Sequence, residues 1–300
     1  MTDYALTLSD ITCGFRYGRP GSGLNGVSLA LLPGEVTGVV GPAGAGKSTL
    51  LQVAAGFVRP LAGEARVCGF RVTDPIARRL IGYASELASY PSSLTVREVL
   101  TYYARLHAST NGGHRIGADG LVGEALDLSG LVPAADFDVG VLGRADLQRL
   151  AVAQAALGGR RVLLLDETLS GLDAVARRDL RARIARLAAA GMAVLIAARD
   201  PAVLERLAAR VVVLRAGRIV RAGPLATLLG ERVLEVILDA PPAEPPPGFR
   251  ITASGLEAPL AGRTVESALA LCRAHRLPVR ASRVRVKSLE DIVLETHDVH

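Results

Sequence analysis

Residues 41–49 read Gly-Pro-Ala-Gly-Ala-Gly-Lys-Ser-Thr. Glycines at this spacing let backbone N–H groups turn inward around an anion, and a helix opening just after them adds its positive end. Along Gly41, Pro42, Ala43, Gly44, Ala45 and Gly46 the loop would wrap phosphate oxygens. Lys47 would then reach the β- and γ-phosphates of a nucleotide, and the Ser48 hydroxyl would ligate Mg2+. A glycine-rich turn with a surface lysine is the plainer alternative. The flanks argue against it. Glu35 to Val40 reads as a buried strand, and Thr49 to Val53 opens a helix.

A second chemical stretch lies at 161–173, where Val162 to Leu165 precede Asp166 and Glu167. A strand buried on both faces that ends in two carboxylates suits metal and water chemistry. Asp166 would hold Mg2+ through water, and Glu167 would polarise the attacking water. Alone, an apolar run entering a polar turn explains such a pair. Joined to the phosphate loop, it points to nucleotide chemistry. A guanine nucleotide would need an Asn-Lys-x-Asp segment, and lysines at 47 and 287 only leave no place for one.

Stepping from these residues to the chain that carries them, 300 residues suffice for one large domain and a small one. No apolar run reaches the roughly 18–20 residues of a membrane-spanning helix. The first residues lack a basic segment followed by an apolar one, which predicts a chain made and kept in the cytosol. Cys13, Cys68 and Cys272 are scattered and odd in number, fitting neither a disulfide framework nor a metal site. The net charge of +6 is dispersed and aromatic residues are few, so solvated helix faces, not nucleic acid, account for it. Of 35 basic residues only Lys47 and Lys287 are lysines. That one of them falls in the loop favours a functional role there, since a compact ammonium fits between phosphates.

With loop and acidic pair in order, the sequence resembles the ATP-binding cassette of ABC transporters over about residues 5–228. The resemblance implies an α/β fold, a P-loop NTPase cassette with a mixed-sheet core (residues 1–230) and a helical subdomain near 87–150. Residues 231–300 would form a small C-terminal α/β domain after a proline-rich linker at 240–248. It implies ATP and Mg2+ as cofactors, a second cassette and a membrane permease as partners, and a cytoplasmic chain peripheral on the inner face of the membrane. Phe15-Arg16-Tyr17-Gly18 is similar to the adenine-stacking segment, with Tyr17 as the ring. Ser170-Gly171-Leu172-Asp173 is similar to the segment that crosses to the partner cassette. Segments 56–70, 77–83, 93–100 and 210–228 follow the family's order.

Three positions depart from the family's pattern. Where a glutamine would contact Mg2+ stands Glu86, either a substitute metal ligand or a solvated loop glutamate. The family's Leu-Ser-Gly-Gly-Gln signature, which would face the partner's γ-phosphate, falls on Leu142-Gly143-Arg144-Ala145-Asp146. No serine is present, and a carboxylate such as Asp146 within about 4 Å of a phosphate charge costs on the order of several kcal/mol at intermediate dielectric. Arg144 would offset part of this. The segment Leu128 to Leu131 spells half a signature but lies too far upstream and reads as a helix end. Arg199 stands where the family's switch histidine should follow the strand Ala193–Ala198. It acts either as a built-in cation on the γ-phosphate or as a lost switch paired to a surface acid such as Asp200; loss is the simpler reading.

Beyond the prolines the sequence predicts a strand near 250–254, a helix near 265–276, a strand near 279–286 and a final helix capped by Ser288. Residues 284–297 resemble the closing segment of cassettes from daunorubicin-resistance-type drug exporters. The expectation is an ATP-binding exporter subunit that couples Mg-ATP to a permease, docked through the region 86–104, with impaired hydrolysis. The alternative is a catalytically weak nucleotide-binding regulator or scaffold. A translation or DNA-repair relative would show tandem cassettes or long coiled-coil insertions, and neither is present.

Overall fold

The computed structural model describes residues 3–14, 23–86, 88–110, 117–240, 242–252, 255–260 and 262–295. Tyr17 therefore lies outside the described residues. The chain divides into two compact units, residues 1–222 and 223–300. Among the described residues no helix is long and apolar enough to cross a membrane.

In the first unit the elements run β1 (Leu6–Cys13), β2 (Leu24–Leu31), β3 (Val36–Val40), α1 (Lys47–Ala54), β4 (Ala62–Val67), β5 (Phe70–Arg71), α2 (Pro75–Leu80) and β6 (Ile81–Ser85). Helices α3 (Val96–Thr110), α4 (Ala118–Ser129) and α5 (Arg144–Ala156) follow. Then come β7 (Val162–Asp166), α6 (Ala174–Ala189), β8 (Ala193–Ala197), β9 (Arg210–Arg215) and β10 (Arg218–Pro224). One sheet has the order β2-β1-β4-β5 and antiparallel pairing throughout. The other has the order β10-β9-β3-β8-β7-β6, with parallel pairing from β9 across to β6.

Strands β3, β7 and β8 are buried at every position. Their near-continuous Val, Leu and Ile runs are what a parallel strand covered on both faces requires. Register then aligns their C-terminal ends. Val39 and Asp166 both pair with Ala197, and Ser85 pairs with Asp166. The phosphate loop, the acidic pair and residues 86 and 199 all emerge at this edge, where ligands bind in open parallel sheets.

Helices α3, α4 and α5 share their own core, built from residues such as Val96, Leu100, Leu121, Leu126 and Leu150. α4 ends at Ser129 with Gly130 in the left-handed conformation, so Leu128–Leu131 is a helix terminus, as its sequence predicts. Helix α5 comes very close to β6. An added Cβ at Gly82 would stand 1.9 Å from the Ala155 carbonyl oxygen.

The second unit holds α7 (Leu225–Leu229), β11 (Arg232–Leu238), β12 (Arg250–Thr252), β13 (Gly255–Pro259), α8 (Val265–Ala274), β14 (Val279–Val286) and α9 (Leu289–Glu295). Its antiparallel sheet has the order β12-β13-β11-β14. The proline-rich stretch does not separate the units; it is the loop joining β11 to β12 inside the second one. The sequence predicts β12, α8, β14 and α9 but not β11 or β13. Leu234, Val236, Leu256 and Ala258 pack with Ala268 and Cys272 of α8. Glu235 and Glu257 are buried too, paired with Arg283, Arg285 and Arg250. Burial opposes it, but hydrogen bonds from Arg285 and Ser288 hold the Asp291 carboxyl down to about 2.

The contact between β6 and α5 leaves no room for a methyl group. Gly82→Ala should destabilise the chain by about 2–3 kcal/mol. Gly123→Ala, at an exposed α4 position with nothing within 4 Å, should stabilise it by about 0.5–1 kcal/mol. Chemical denaturation of both variants beside the parent chain checks the contrast.

Candidate functional site

At the phosphate loop, Gly41, Gly44 and Gly46 have φ values of 152, 79 and 102°. A Cβ at Gly41 would lie 2.0 Å from the Leu214 carbonyl oxygen, and one at Gly46 would lie 2.9 Å from that of Gly23. Only glycine fits where the backbone curls this tightly. Lys47 opens α1 and is 7% exposed. Its Nζ donates to the carbonyls of Gly41 at 2.7 Å and Pro42 at 3.1 Å. Burial pushes the ammonium below its usual range; Glu167 and Asp166 oppose this, while Arg199 adds to it. Thr49 lies within the first turn of α1.

The acidic pair closes the other side. Asp166 Oδ1 accepts from Ser48 Oγ at 3.0 Å, and Oδ2 accepts from the Tyr83 hydroxyl at 3.1 Å. Burial, then the Asp166 charge and hydrogen bond, push the Tyr83 phenol well above its usual range, so it remains a donor. Its ring meets Phe57 edge to face at 5.1 Å. Glu167 is 6% exposed and takes a left-handed φ of 58°, unusual for a residue with a Cβ. Its amide donates to the Ala197 carbonyl at 3.0 Å. Of the carboxylate oxygens, Oε2 accepts from Ser170 Oγ at 2.7 Å and the Arg199 amide at 3.1 Å, and Oε1 lies 3.5 Å from Arg199 Nε in an ion pair.

The three departing positions converge here. Arg199 pairs with Glu86 at 3.2 Å as well as with Glu167. It does not pair with Asp200, which lies 3.8 Å from Arg177 and accepts from the Ala202 amide. Gly143 precedes α5 and Arg144 begins it, placed 3.0 Å from Glu86; Ala145 follows within the helix. Asp146 is compensated by Arg149 at 2.9 Å, not by Arg144. Asp173 caps its own helix α6, accepting from the Val175 and Ala176 amides at 2.9 and 2.8 Å. Three contributors escape sequence reasoning: Tyr83, Ser170 and Gln148, whose Nε2 donates to the Glu86 carbonyl at 2.5 Å. Ser170 and Tyr83 sit inside motifs already singled out, but nothing in their spacing marks the contacts.

The donors suit a hard cation. A serine hydroxyl and a carboxylate 3.0 Å apart beside the 41–48 loop suit Mg2+, which binds few protein oxygens and completes its shell with water and phosphate. Among the described residues there is no group of three or more His, Cys, Asp or Glu that could hold a metal.

Comparison with known proteins agrees with this geometry. Residues 24–170 match the sequence profile of the family described as ABC transporter. The chain is 34% identical over 212 residues to the Nod factor export ATP-binding protein I of Burkholderia thailandensis, covering 70% of this chain and 68% of that one. It is 35% identical over 213 residues to the molybdenum import ATP-binding protein ModC of Rhodobacter capsulatus, covering 69% of this chain but only 57% of that protein. Among solved structures, an ATP-binding subunit of an ABC transporter superposes with a TM-score of 0.64 at 24% identity, covering 75% of this chain and 91% of that one. The cbiO1 structure from Clostridium perfringens, part of the ABC transporter complex cbiONQ, gives 0.65 at 22% identity, covering 76% and 91%. These structural likenesses speak to fold, and the sequence relatives to family: the chain belongs to the ATP-binding cassette family of ABC transporters.

Proposed function

We propose that this chain binds Mg-ATP on the 41–49 loop and couples that binding to a separate membrane permease, with slow hydrolysis. The observation that carries the reading is Lys47: a buried ammonium turned onto the loop's own carbonyls, beside a Ser48–Asp166 pair. The loop amides and the α1 N-terminus would hold the phosphates, and Lys47 would leave the carbonyls for the β- and γ-phosphates. Ser48 and Asp166 would hold Mg2+, which when bound would supply positive charge to offset that of the phosphates. Tyr17 would stack on adenine.

Glu167 is the group placed to orient the attacking water. In this structure its Oε2 already accepts from the Ser170 hydroxyl and the Arg199 amide, and its Oε1 lies in ion-pair range of the Arg199 guanidinium. The signature position offers Gly143, Arg144, Ala145 and Asp146 in place of a serine and glycines. Both features support impaired hydrolysis, and they equally favour a second reading, a nucleotide-binding regulator or scaffold within an ABC assembly. The chain would pair head to tail with a second cassette through the 143–146 segment and Asp173. It would sit at the inner face of a membrane, with the permease touching the region 86–104. Export is the direction proposed, supported by the Nod factor export relatives and by residues 284–297. The molybdenum importer is 35% identical against 34% for the export relatives, so identity alone does not set the direction.

Lys47→Ala should weaken Mg-ATP affinity about 10- to 100-fold, the loss of one charge-assisted contact, measured with a fluorescent ATP analogue. Affinity unchanged by that substitution would remove the loop from the site. Turnover of the purified chain should be slow and should change by less than about threefold in Glu167→Gln, against the ~10^2-fold or greater loss expected where a general base is at work. A brisk ATPase abolished by Glu167→Gln would overturn the reading of impaired hydrolysis.

A further inference from the structure

Glu86 follows the C-terminal end of β6 and faces two arginines. Its Oε1 lies 3.0 Å from Arg144 Nη2 and its Oε2 lies 3.2 Å from Arg199 Nη2. Arg199 Nε in turn lies 3.5 Å from Glu167 Oε1. Charges therefore alternate along a single line: Arg144, Glu86, Arg199, Glu167. Helix α5 grips Glu86 twice, because Gln148, one turn beyond Arg144, donates to the Glu86 carbonyl. The Arg144 guanidinium also lies over the backbone of the 170–173 segment; a Cβ at Gly171 would stand 2.7 Å from its Cζ.

The residues in this line include all three departures from the cassette pattern. They are explicable only as a set. A glutamine at 86 would strip Arg144 of its carboxylate and leave Arg199 with Glu167 alone. A neutral histidine at 199 would leave Glu86 and Glu167 as neighbouring like charges, which is unfavourable. A metal-ligand role for Glu86 would require at least one of its oxygens to turn from arginine to the cation.

We infer that Glu86 is a positioning residue and not a metal ligand: its carboxylate is the shared counter-ion of Arg144 and Arg199, and the chain Arg144–Glu86–Arg199–Glu167 ties the first turn of α5 to the carboxylate that follows β7. The inference deepens the proposed function and rests on it for the role of Glu167. It adds a physical source for slow turnover. A second cassette taking up residues 143–146, or a water approaching Glu167, must first break this line.

Hydrogen–deuterium exchange on the full chain without nucleotide tests it, read at the first turn of α5 in Glu86→Gln, Arg199→Gln and the double variant. Each single substitution should speed exchange there about threefold, the scale of a partly exposed ion pair. The double should be no faster than the faster single, and Glu86→Asp should stay close to the parent. Unchanged exchange in both singles overturns the inference, as does a double effect equal to the product of the two, the mark of independent sites. A second arm follows the Mg2+ dependence of nucleotide affinity. Glu86→Ala, which leaves no ligating oxygen, should leave it within about twofold, whereas the loss of about tenfold or more expected of a metal ligand would overturn the positioning role. A chain that binds no nucleotide would sink the proposed function while the exchange arm still decides this inference.

Discussion

The site depends on the register of parallel strands β3, β8, β7 and β6. β3, β8 and β7 are too apolar to lie anywhere but inside the sheet, β6 closes its edge, and a slip of one residue would turn each side chain to the opposite face. With the register set, their C-terminal ends stop at one level, and each chain leaves the sheet carrying a polar group. β3 delivers the phosphate loop, β7 the acidic pair, β8 Arg199 and β6 Glu86. The amide of Glu167 bonding to Ala197, and that of Ala198 bonding to Val39, extend the ladder one step beyond the regular strands. Chemistry is thus placed by hydrophobic burial, and the polar residues need only be the next ones along.

That placement concentrates charge. Lys47, Arg144 and Arg199 face Asp166, Glu167 and Glu86 within a small volume, and several of these groups are nearly buried. Buried charges persist where they are paired and hydrogen-bonded, and each of these has a partner. Lys47 rests on two carbonyls, Asp166 on two hydroxyls, and Glu167 on a hydroxyl, an amide and a guanidinium. An arriving triphosphate would therefore compete for groups that are already satisfied. Holding Mg-ATP would ask Lys47 to let go of carbonyls and Ser48 to let go of Asp166, hydrogen bonds that each have a neutral partner. Freeing Glu167 would ask an ion pair to open.

The sequence shows the loop plainly because every feature that makes it work is local: glycine spacing, one ammonium, a strand before and a helix after. The buried strands are legible for the same reason. What stays hidden is pairing across distance. Nothing near Glu86 announces Arg144 or Arg199, which lie 58 and 113 residues away. The nearest acid, Asp200, is the natural guess for Arg199, and the fold gives it to Arg177 instead. In the second unit β11 and β13 escape because each carries a buried glutamate, Glu235 and Glu257, that breaks the apolar pattern and is paid for only by arginines on other strands. The rarity of lysine proves a weaker signal than it looks. Lys287 is as buried as Lys47, at 4%, yet serves an ion-pair cluster with Glu231 and Glu295.

The bare backbone contact between Gly82 and Ala155 has a mechanical meaning. With no side chain between them, helix and strand meet backbone to backbone, so a shift of α5 would act on β6 directly, without a side-chain layer to absorb it. Arg144 and Gln148 lie toward one end of the same helix, and Glu86 lies just past the end of the same strand. A rocking of the helical layer would thus carry the acid along with its clamp, and the strain would fall on the link to Arg199.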